Sequence, residues 1–337
     1  MTPSTLAFGL FFSFLATAAP TALWIGIAWR CDRYEREPAP LLIASFLWGA
    51  IPAVILALVF ETLFGIEGDG AGASLAREVA AASAIAPVAE ELAKAAGLLL
   101  IWLIWRIEYD GVLDGILYGA LVGFGFAVTE NLFYFMAALG EGGWGQWGVT
   151  VFLRSVVFGL NHAFFTAFTG AALGAAHLIR SRLGRWLAAA LGLGAAIVAH
   201  GVHNFGVSVT SVSILGLGLS LIGDAGGVLL VVLIIWLAQR QEQRWLRIEL
   251  ADEVGKLLEP AEHQALQTVK GRWQMLAQAR KQGGMKALAA TAHFQETATE
   301  LAFRKHRARV RGPDVRLEQE IAELGARLAT RRAQLGV

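Results

Sequence analysis

The chain has 337 residues, 56% of them hydrophobic and 16% charged, and a mean hydropathy of +0.55. Ordinary soluble domains carry about 25% charged residues, so the composition excludes a soluble globule and predicts an all-α, polytopic membrane protein. The net charge of +1 hides an asymmetry: 10 of the 28 Lys and Arg fall in residues 1–238 and 18 in residues 239–337, while a single cysteine, Cys31, excludes an internal disulfide and a cysteine-based zinc cluster.

Seven stretches are long and apolar enough to cross a bilayer, which takes about 20 residues: 6–29, 40–66, 79–105, 112–139, 147–179, 186–209 and 212–238. The first contains Ala16-Thr17-Ala18, which looks cleavable. No Lys or Arg precedes it, however, and apolar residues continue to Trp29, so it reads as a retained helix. Arg30, Arg33 and Arg36 follow the first stretch, Arg106 the third, Arg180, Arg182 and Arg185 the fifth, and Arg240, Arg244 and Arg247 the seventh. The alternate loops carry Glu67, Asp69 and only Arg77, then Glu141, then no charge. Basic loops stay on the cytoplasmic side, which predicts the N-terminus outside and the C-terminus in the cytoplasm.

Gly111, Gly115, Gly119 and Gly123 recur every four residues in the fourth stretch, and Gly170 and Gly174 repeat the spacing in the fifth. Such stripes let helix backbones approach closely. Asp114, on the inner end of the fourth stretch, is placed to cap or bond a neighbouring helix. From residue 239 the pattern changes to Ala, Gln, Glu, Arg and Leu, a helical cytoplasmic tail. Breaks at Pro260, Gly283-Gly284 and Gly312-Pro313 give three or four helices. The run Arg304, Lys305, Arg307, Arg309, Arg311 suits an anionic lipid or another acidic cytoplasmic partner, or a plain solvated face. No nucleic-acid-binding module is visible.

The most informative residues are charges inside the apolar stretches. Glu90, Glu91 and Lys94 lie near the middle of the third, where each costs at least about 2.5–3.5 kcal/mol to insert. Glu90 and Lys94 share a helix face, and Glu91 points elsewhere and needs another partner. The fourth stretch carries Glu130-Asn131, the fifth Asn161-His162, the sixth His200-Gly201-Val202-His203-Asn204, and the seventh Asp224. At about 1.5 Å rise per residue, Glu90, Glu130, His162 and His200 lie roughly 14–22 Å below the outer ends of their stretches. That is one layer, and it predicts one shared polar cavity. Carboxylates and imidazoles there suit Zn²⁺ with an open position for water, whose proton a free Glu would take. They equally suit a metal-free general-base pair.

These motifs, Glu90-Glu91-x-x-Lys94, Asp114-Gly115-x-x-Tyr118-Gly119, Gly125-Phe126-Ala127-x-x-Glu130-Asn131, His162 and His200-x-x-x-Asn204, resemble the PrsW family of intramembrane proteases. That family sits in a larger group with type II CAAX prenyl endopeptidases and bacteriocin-processing membrane proteins. The resemblance covers about residues 5–238. It implies a bacterial inner-membrane enzyme that cleaves a membrane-anchored protein such as an anti-sigma-type regulator. By the resemblance Glu90 and Glu91 match the paired glutamates, Glu130 the FxxxE motif, and His162 and His200 the two histidine motifs. Lys94, Asn131 and Asn204 are supporting groups. The working assignment makes Glu91 or Glu90 the base and gives His162, His200 and Glu130 to a metal, with zinc as the candidate, or to the scissile carbonyl. The rival reading is a proton-coupled transporter or channel, since buried Glu, His and Asp often form proton relays.

Overall fold

The computed structural model describes residues 2–32, 34, 37–63, 75–105, 108–312 and 314–335. Arg33, Arg36, Glu67, Asp69, Arg106 and Pro313, named above, lie outside them. Regular structure among the described residues is helical: α1 Pro3–Cys31, α2 Ala39–Trp48, α3 Val54–Leu63, α4 Leu75–Ala80, α5 Ala86–Ile104, α6 Val112–Val151, α7 Asn161–Ala176, α8 Arg182–Val209, α9 Leu215–Glu249, α10 Pro260–Leu266, α11 Val269–Arg311 and α12 Val315–Ala333. The chain divides into two compact units: Met1–Cys31, Glu37–Ala176 and Leu183–Ile235 make the first, and Asp32–Arg36, His177–Arg182 and Trp236–Val337 the second.

The first unit is an integral membrane bundle. Among the described residues, five helical stretches are long and apolar enough to cross a membrane: Pro3–Cys31, Ala39–Leu63, Val112–Ala176, Arg182–Val209 and Leu215–Glu253. The sequence predicts seven, and the difference has two sources. The 79–105 stretch carries Glu90, Glu91 and Lys94 and so is not purely apolar. Val112–Ala176, 65 residues long, contains both the fourth and the fifth predicted stretches.

That long stretch doubles back at Gly143, where φ is 67° and ψ is −161°, a backbone conformation glycine adopts without steric cost. Past the turn the chain runs antiparallel to α6. Gly174 meets the Gly111 carbonyl, Gly170 meets Gly115, Thr166 meets Gly119 and His162 meets Gly123. A Cβ at Gly115, Gly119, Gly123, Gly170 or Gly174 would fall within 3.0 Å of the opposing backbone. The two glycine stripes therefore serve one contact, each making room for the other. In the most apolar window of this hairpin 83% of residues are buried, against 17% in α1, so the hairpin is the centre of the bundle and α1 turns most of its surface to lipid.

The fifth predicted stretch is not one continuous helix. A π-helical turn at Phe152–Val157 gives way to Phe158, with φ −109° and ψ 15°, before α7 starts at Asn161. His162 therefore stands in the first turn of a helix, where its backbone N–H has no intrahelical partner. Asn161 Oδ1 accepts that N–H at 2.7 Å.

On the opposite side of α6, a π-turn at Gly49–Ala53 accommodates Pro52, which cannot donate to the helix ladder. Gly49 abuts the Val122 backbone and Gly125 the Phe46 carbonyl. The Trp48 indole donates to the Ala93 carbonyl at 3.0 Å, fixing α5 at the residue before Lys94. A second π-turn, Ala81–Ile85, precedes Pro87. In that register the missing N–H of Pro87 would have served Ala82, whose carbonyl instead accepts from Asn204 Nδ2 at 2.9 Å. Asp114 caps its own helix, accepting from the backbone N–H groups of Asp110 at 2.9 Å and Gly111 at 2.5 Å.

The second unit has its own core, including Leu246, Leu250, Leu258, Leu266, Phe294 and Leu301, with Tyr34 packed into it. Pro260 opens α10, Gly284 (φ 65°) breaks α11 and Gly312 (φ 95°) ends it. Four side chains of the basic run bind within the unit. Arg304 lies 3.6 Å from Glu320, Lys305 reaches Asp252 and Glu253 at 2.5 and 2.7 Å, and Arg309 reaches Glu249 at 2.6 Å. Arg311 donates to the His177 carbonyl at 2.7 Å.

Candidate active site

Glu90, Glu91 and Lys94 face inward from α5, His162 and Thr166 from α7, His200 from α8 and Glu130 from α6. The packing just described brings all seven side chains into one connected cluster. Lys94 is fully buried, and its ammonium lies 3.1 Å from Glu90 Oε2, 2.8 Å from Glu91 Oε1 and 3.1 Å from His162 Nδ1. It also sits 3.8 Å above the Phe126 ring. Glu91 was expected to need a partner other than Lys94. Instead it shares Lys94 with Glu90 and adds two more contacts, His200 Nδ1 at 3.1 Å and the Thr166 hydroxyl at 3.1 Å. Helical spacing puts both i+3 and i+4 within reach of one long side chain, which the expectation overlooked.

The two glutamates differ. Both oxygens of Glu91 accept hydrogen bonds and the residue is fully buried. Glu90 receives Lys94 on Oε2 alone, and that oxygen also faces His162 Nδ1 at 4.0 Å and His200 Nε2 at 3.9 Å.

The imidazoles are oriented from behind. Glu91 beside His200 Nδ1 keeps a proton on that nitrogen and leaves the Nε2 lone pair toward Glu90. Glu130 Oε2, 2.8 Å from His162 Nε2, does the same for the other ring and leaves Nδ1 to accept from Lys94 at 3.1 Å, with Glu90 Oε2 at 4.0 Å. A carboxylate on the far nitrogen is the usual support of a metal-binding histidine. Glu90, His162 and His200 are all buried and offer one ligand atom each within 4.8 Å of one another.

A family model described as a PrsW family intramembrane metalloprotease matches residues 37–238. The chain belongs to that family. It is 28% identical over 164 residues to Protease PrsW of Geobacillus kaustophilus (strain HTA426), a match covering 46% of this chain and 62% of that protein. It is 35% identical over 112 residues to Protease PrsW of Clostridioides difficile (strain 630), covering 33% and 45%. The chain thus spans less than two thirds of either relative. No solved structure matches it significantly.

A metal, which the family's description implies, fits the residues present. Two imidazole nitrogens and a carboxylate are a donor set of catalytic zinc, and both rings are held in the required tautomer by carboxylates. The group that could hold a metal shares His162 and His200 with the sequence assignment and has Glu90 where that assignment has Glu130. Glu90 faces the two lone pairs, whereas Glu130 stands behind His162 with its Oε2 2.7 Å from Arg154 Nη2. Arg154 also donates to Asn131 Oδ1 at 2.6 Å and stacks 3.8 Å from the Tyr134 ring. Asn131 therefore supports Glu130 through Arg154, and Asn204 supports the backbone before α5 rather than the cluster.

Sequence reasoning missed Arg154, Thr166 and the role of His203. Arg154 was findable, since a lone arginine inside an apolar stretch is costly unless partnered. Thr166 sits one turn after His162, a spacing that carries no signal in an apolar helix.

Proposed function

We propose that this chain is an intramembrane endopeptidase that hydrolyses a peptide bond of a membrane-anchored protein, with the attacking water held at Glu90. The observation that carries the reading is the convergence of Glu90 Oε2 with the unprotonated nitrogens of His162 and His200, each ring steadied by its own carboxylate. Glu90 is the better candidate for the water because its second oxygen accepts no hydrogen bond from a described residue, whereas Glu91 is saturated. Glu91 orients His200 and balances Lys94. The Lys94 ammonium, enclosed where electrostatic effects are strong, offsets the glutamate charge and is the nearest cation to any oxyanion formed there. Glu90, His162 and His200 are also the residues that would hold zinc; with it bound Glu90 would serve as a ligand in place of the base, the metal supplying Lewis acidity and a more acidic water.

The substrate class, a membrane-anchored protein such as an anti-sigma-type regulator, rests on family membership. Placement in a bacterial inner membrane, N-terminus outside and C-terminus cytoplasmic, rests on family and on the basic loops. With it goes the division into a protease domain at 1–238 and a basic cytoplasmic tail at 239–337. A transporter is not favoured by the family.

The test is cleavage of a membrane-anchored reporter in proteoliposomes. Glu90→Gln should lower the rate at least about 100-fold, the lower end for a lost general base, with the inserted amount unchanged. Glu91→Gln should lower it as well, by releasing the His200 ring. Wild-type rates in both variants would end this reading.

A further inference from the structure

Two sets of arginines in the second unit differ. Arg304, Arg309 and Arg311 of the basic run are engaged by Glu320, Glu249 and the His177 carbonyl. Arg240, Arg244 and Arg247 are different: all three are exposed, and no carboxylate of a described residue lies within ion-pair distance of them. They lie at i, i+4 and i+7, one stripe of α9, directly after its apolar segment. Trp236 continues the stripe one turn earlier, with the Arg240 guanidinium stacked 3.8 Å from its ring. The acids of this segment, Glu242 and Glu249, are both buried and fall on the other face of the helix.

Beside the stripe is a half-open cavity of about 180 Å³ lined by Tyr34, Trp236, Gln239, Arg240 and Gln243. A guanidinium and two primary amides lie in its wall. Behind it, Arg272 approaches the Tyr34 ring at 5.6 Å and donates to the Tyr34 carbonyl at 3.1 Å, adding a second positive charge. The lining thus offers hydrogen-bond donors and positive potential to an anion, while Trp236 offers an amphipathic ring of the kind that sits at headgroup level.

We propose that this cavity and stripe bind the phosphodiester headgroup of an anionic glycerophospholipid. The phosphate rests against Arg240, Gln239 and Gln243, the acyl chains leave along the apolar face of α9 beside Trp236, and Arg244 and Arg247 add electrostatic attraction. A free phosphate shares the chemistry of the headgroup. The position immediately after an apolar stretch favours the lipid, because only a lipid can use the cavity and the apolar helix surface together.

The measurement is native mass spectrometry of the full-length protein in detergent, titrated separately with dioleoyl phosphatidylglycerol and dioleoyl phosphatidylcholine. Retention of phosphatidylglycerol over phosphatidylcholine is expected. Arg240→Gln should weaken it about five-fold or more, the value of one Arg near an anionic surface. Lys281→Gln, the same charge change at an exposed site elsewhere in the second unit, should leave it unchanged and controls for net charge and folding. Equal retention of the two lipids, wild-type retention by Arg240→Gln, or an equal loss in Lys281→Gln would overturn the proposal. Displacement of bound lipid by millimolar inorganic phosphate would also overturn it, assigning the cavity to a soluble phosphate.

Discussion

His203 lies one turn from His200 but outside the cluster that α5, α7 and α8 build, and its surroundings define a different task. Its Nδ1 lies 2.8 Å from Asp224 Oδ2, and its Nε2 lies 3.3 Å from Asn161 Nδ2. Asn161 Oδ1 accepts the His162 N–H, so its Nδ2 is the group turned to His203 and donates to Nε2, which puts the imidazole proton on Nδ1. Polarity is consistent from His203 to His162, and the Ser220 hydroxyl steadies the arrangement by donating to the His203 carbonyl at 2.8 Å. His203 is therefore a positioning residue, acting through Asn161 on the backbone that carries His162. Asn161→Ala should cost about 1–3 kcal/mol, because it strands a buried N–H, and should depress reporter cleavage beyond the stability loss. His203→Leu should behave likewise. His203→Gln, which keeps an acceptor facing Asn161, should recover part of the activity. Thermal unfolding in detergent measured beside the cleavage rate separates the two effects, and equal rates in the Leu and Gln variants would show that the acceptor is irrelevant. The sequence displays His203 and Asp224 as buried polar residues, but not their pairing, which depends on how α8 and α9 rotate against α7.

The α6–α7 hairpin does at the scale of an element what these bonds do for one residue. Small residues at four-residue spacing are legible in the sequence, because a helix repeats its face at that interval. The identity of the facing helix is not, since a small-residue stripe accepts any close backbone. Here one of the close approaches falls at Gly123, whose missing side chain leaves room for the His162 carbonyl. The distance between α6 and α7 thus sets where the His162 ring lies relative to Glu90 and Glu130. Gly123→Ala should force the helices apart, destabilise the protein and lower cleavage more than 10-fold, since displacement of about 1 Å at a site can cost about 100-fold. Gly226→Ala, where an added Cβ meets nothing within 4 Å, should keep wild-type activity. It should be neutral or slightly stabilising, as Ala exceeds Gly in helix propensity by up to about 1 kcal/mol. Matching losses at the two positions would mean that helix spacing does not control the site. The break before α7 escaped the sequence reading because residues 147–179 are apolar enough on average to read as one span, and hydropathy reports burial in lipid, not helix continuity.

For the whole molecule, composition alone announces a membrane bundle followed by a basic helical segment, because lipid and water select opposite residue types. It does not reveal that Asp32–Arg36 and His177–Arg182 pack with Trp236–Val337 in one unit; such contacts join residues distant in sequence and leave no periodic mark. Nor does it show that Arg304 and Arg309 are paired with Glu320 and Glu249, since a basic run reads the same whether its partners are lipids or glutamates elsewhere in the chain. His306, in the middle of that run, makes the point measurable. Its ring stacks on Trp245 with centroids 4.3 Å apart, and its Nδ1 lies 2.9 Å from Glu249. Burial pushes its pKa below the usual 6.5, Glu249 acts in the opposite direction, and the neighbouring Arg309 lowers it further. A histidine with a depressed folded pKa contributes stability above the unfolded value near 6.5, and that contribution is lost as pH falls toward the folded value. Denaturation of the full-length protein followed by tryptophan fluorescence should accordingly show the second unit less stable at pH 5 than at pH 8. His306→Phe keeps a ring against Trp245 and cannot titrate, so it should flatten that dependence. An unchanged pH slope in the variant would mean that other groups set it.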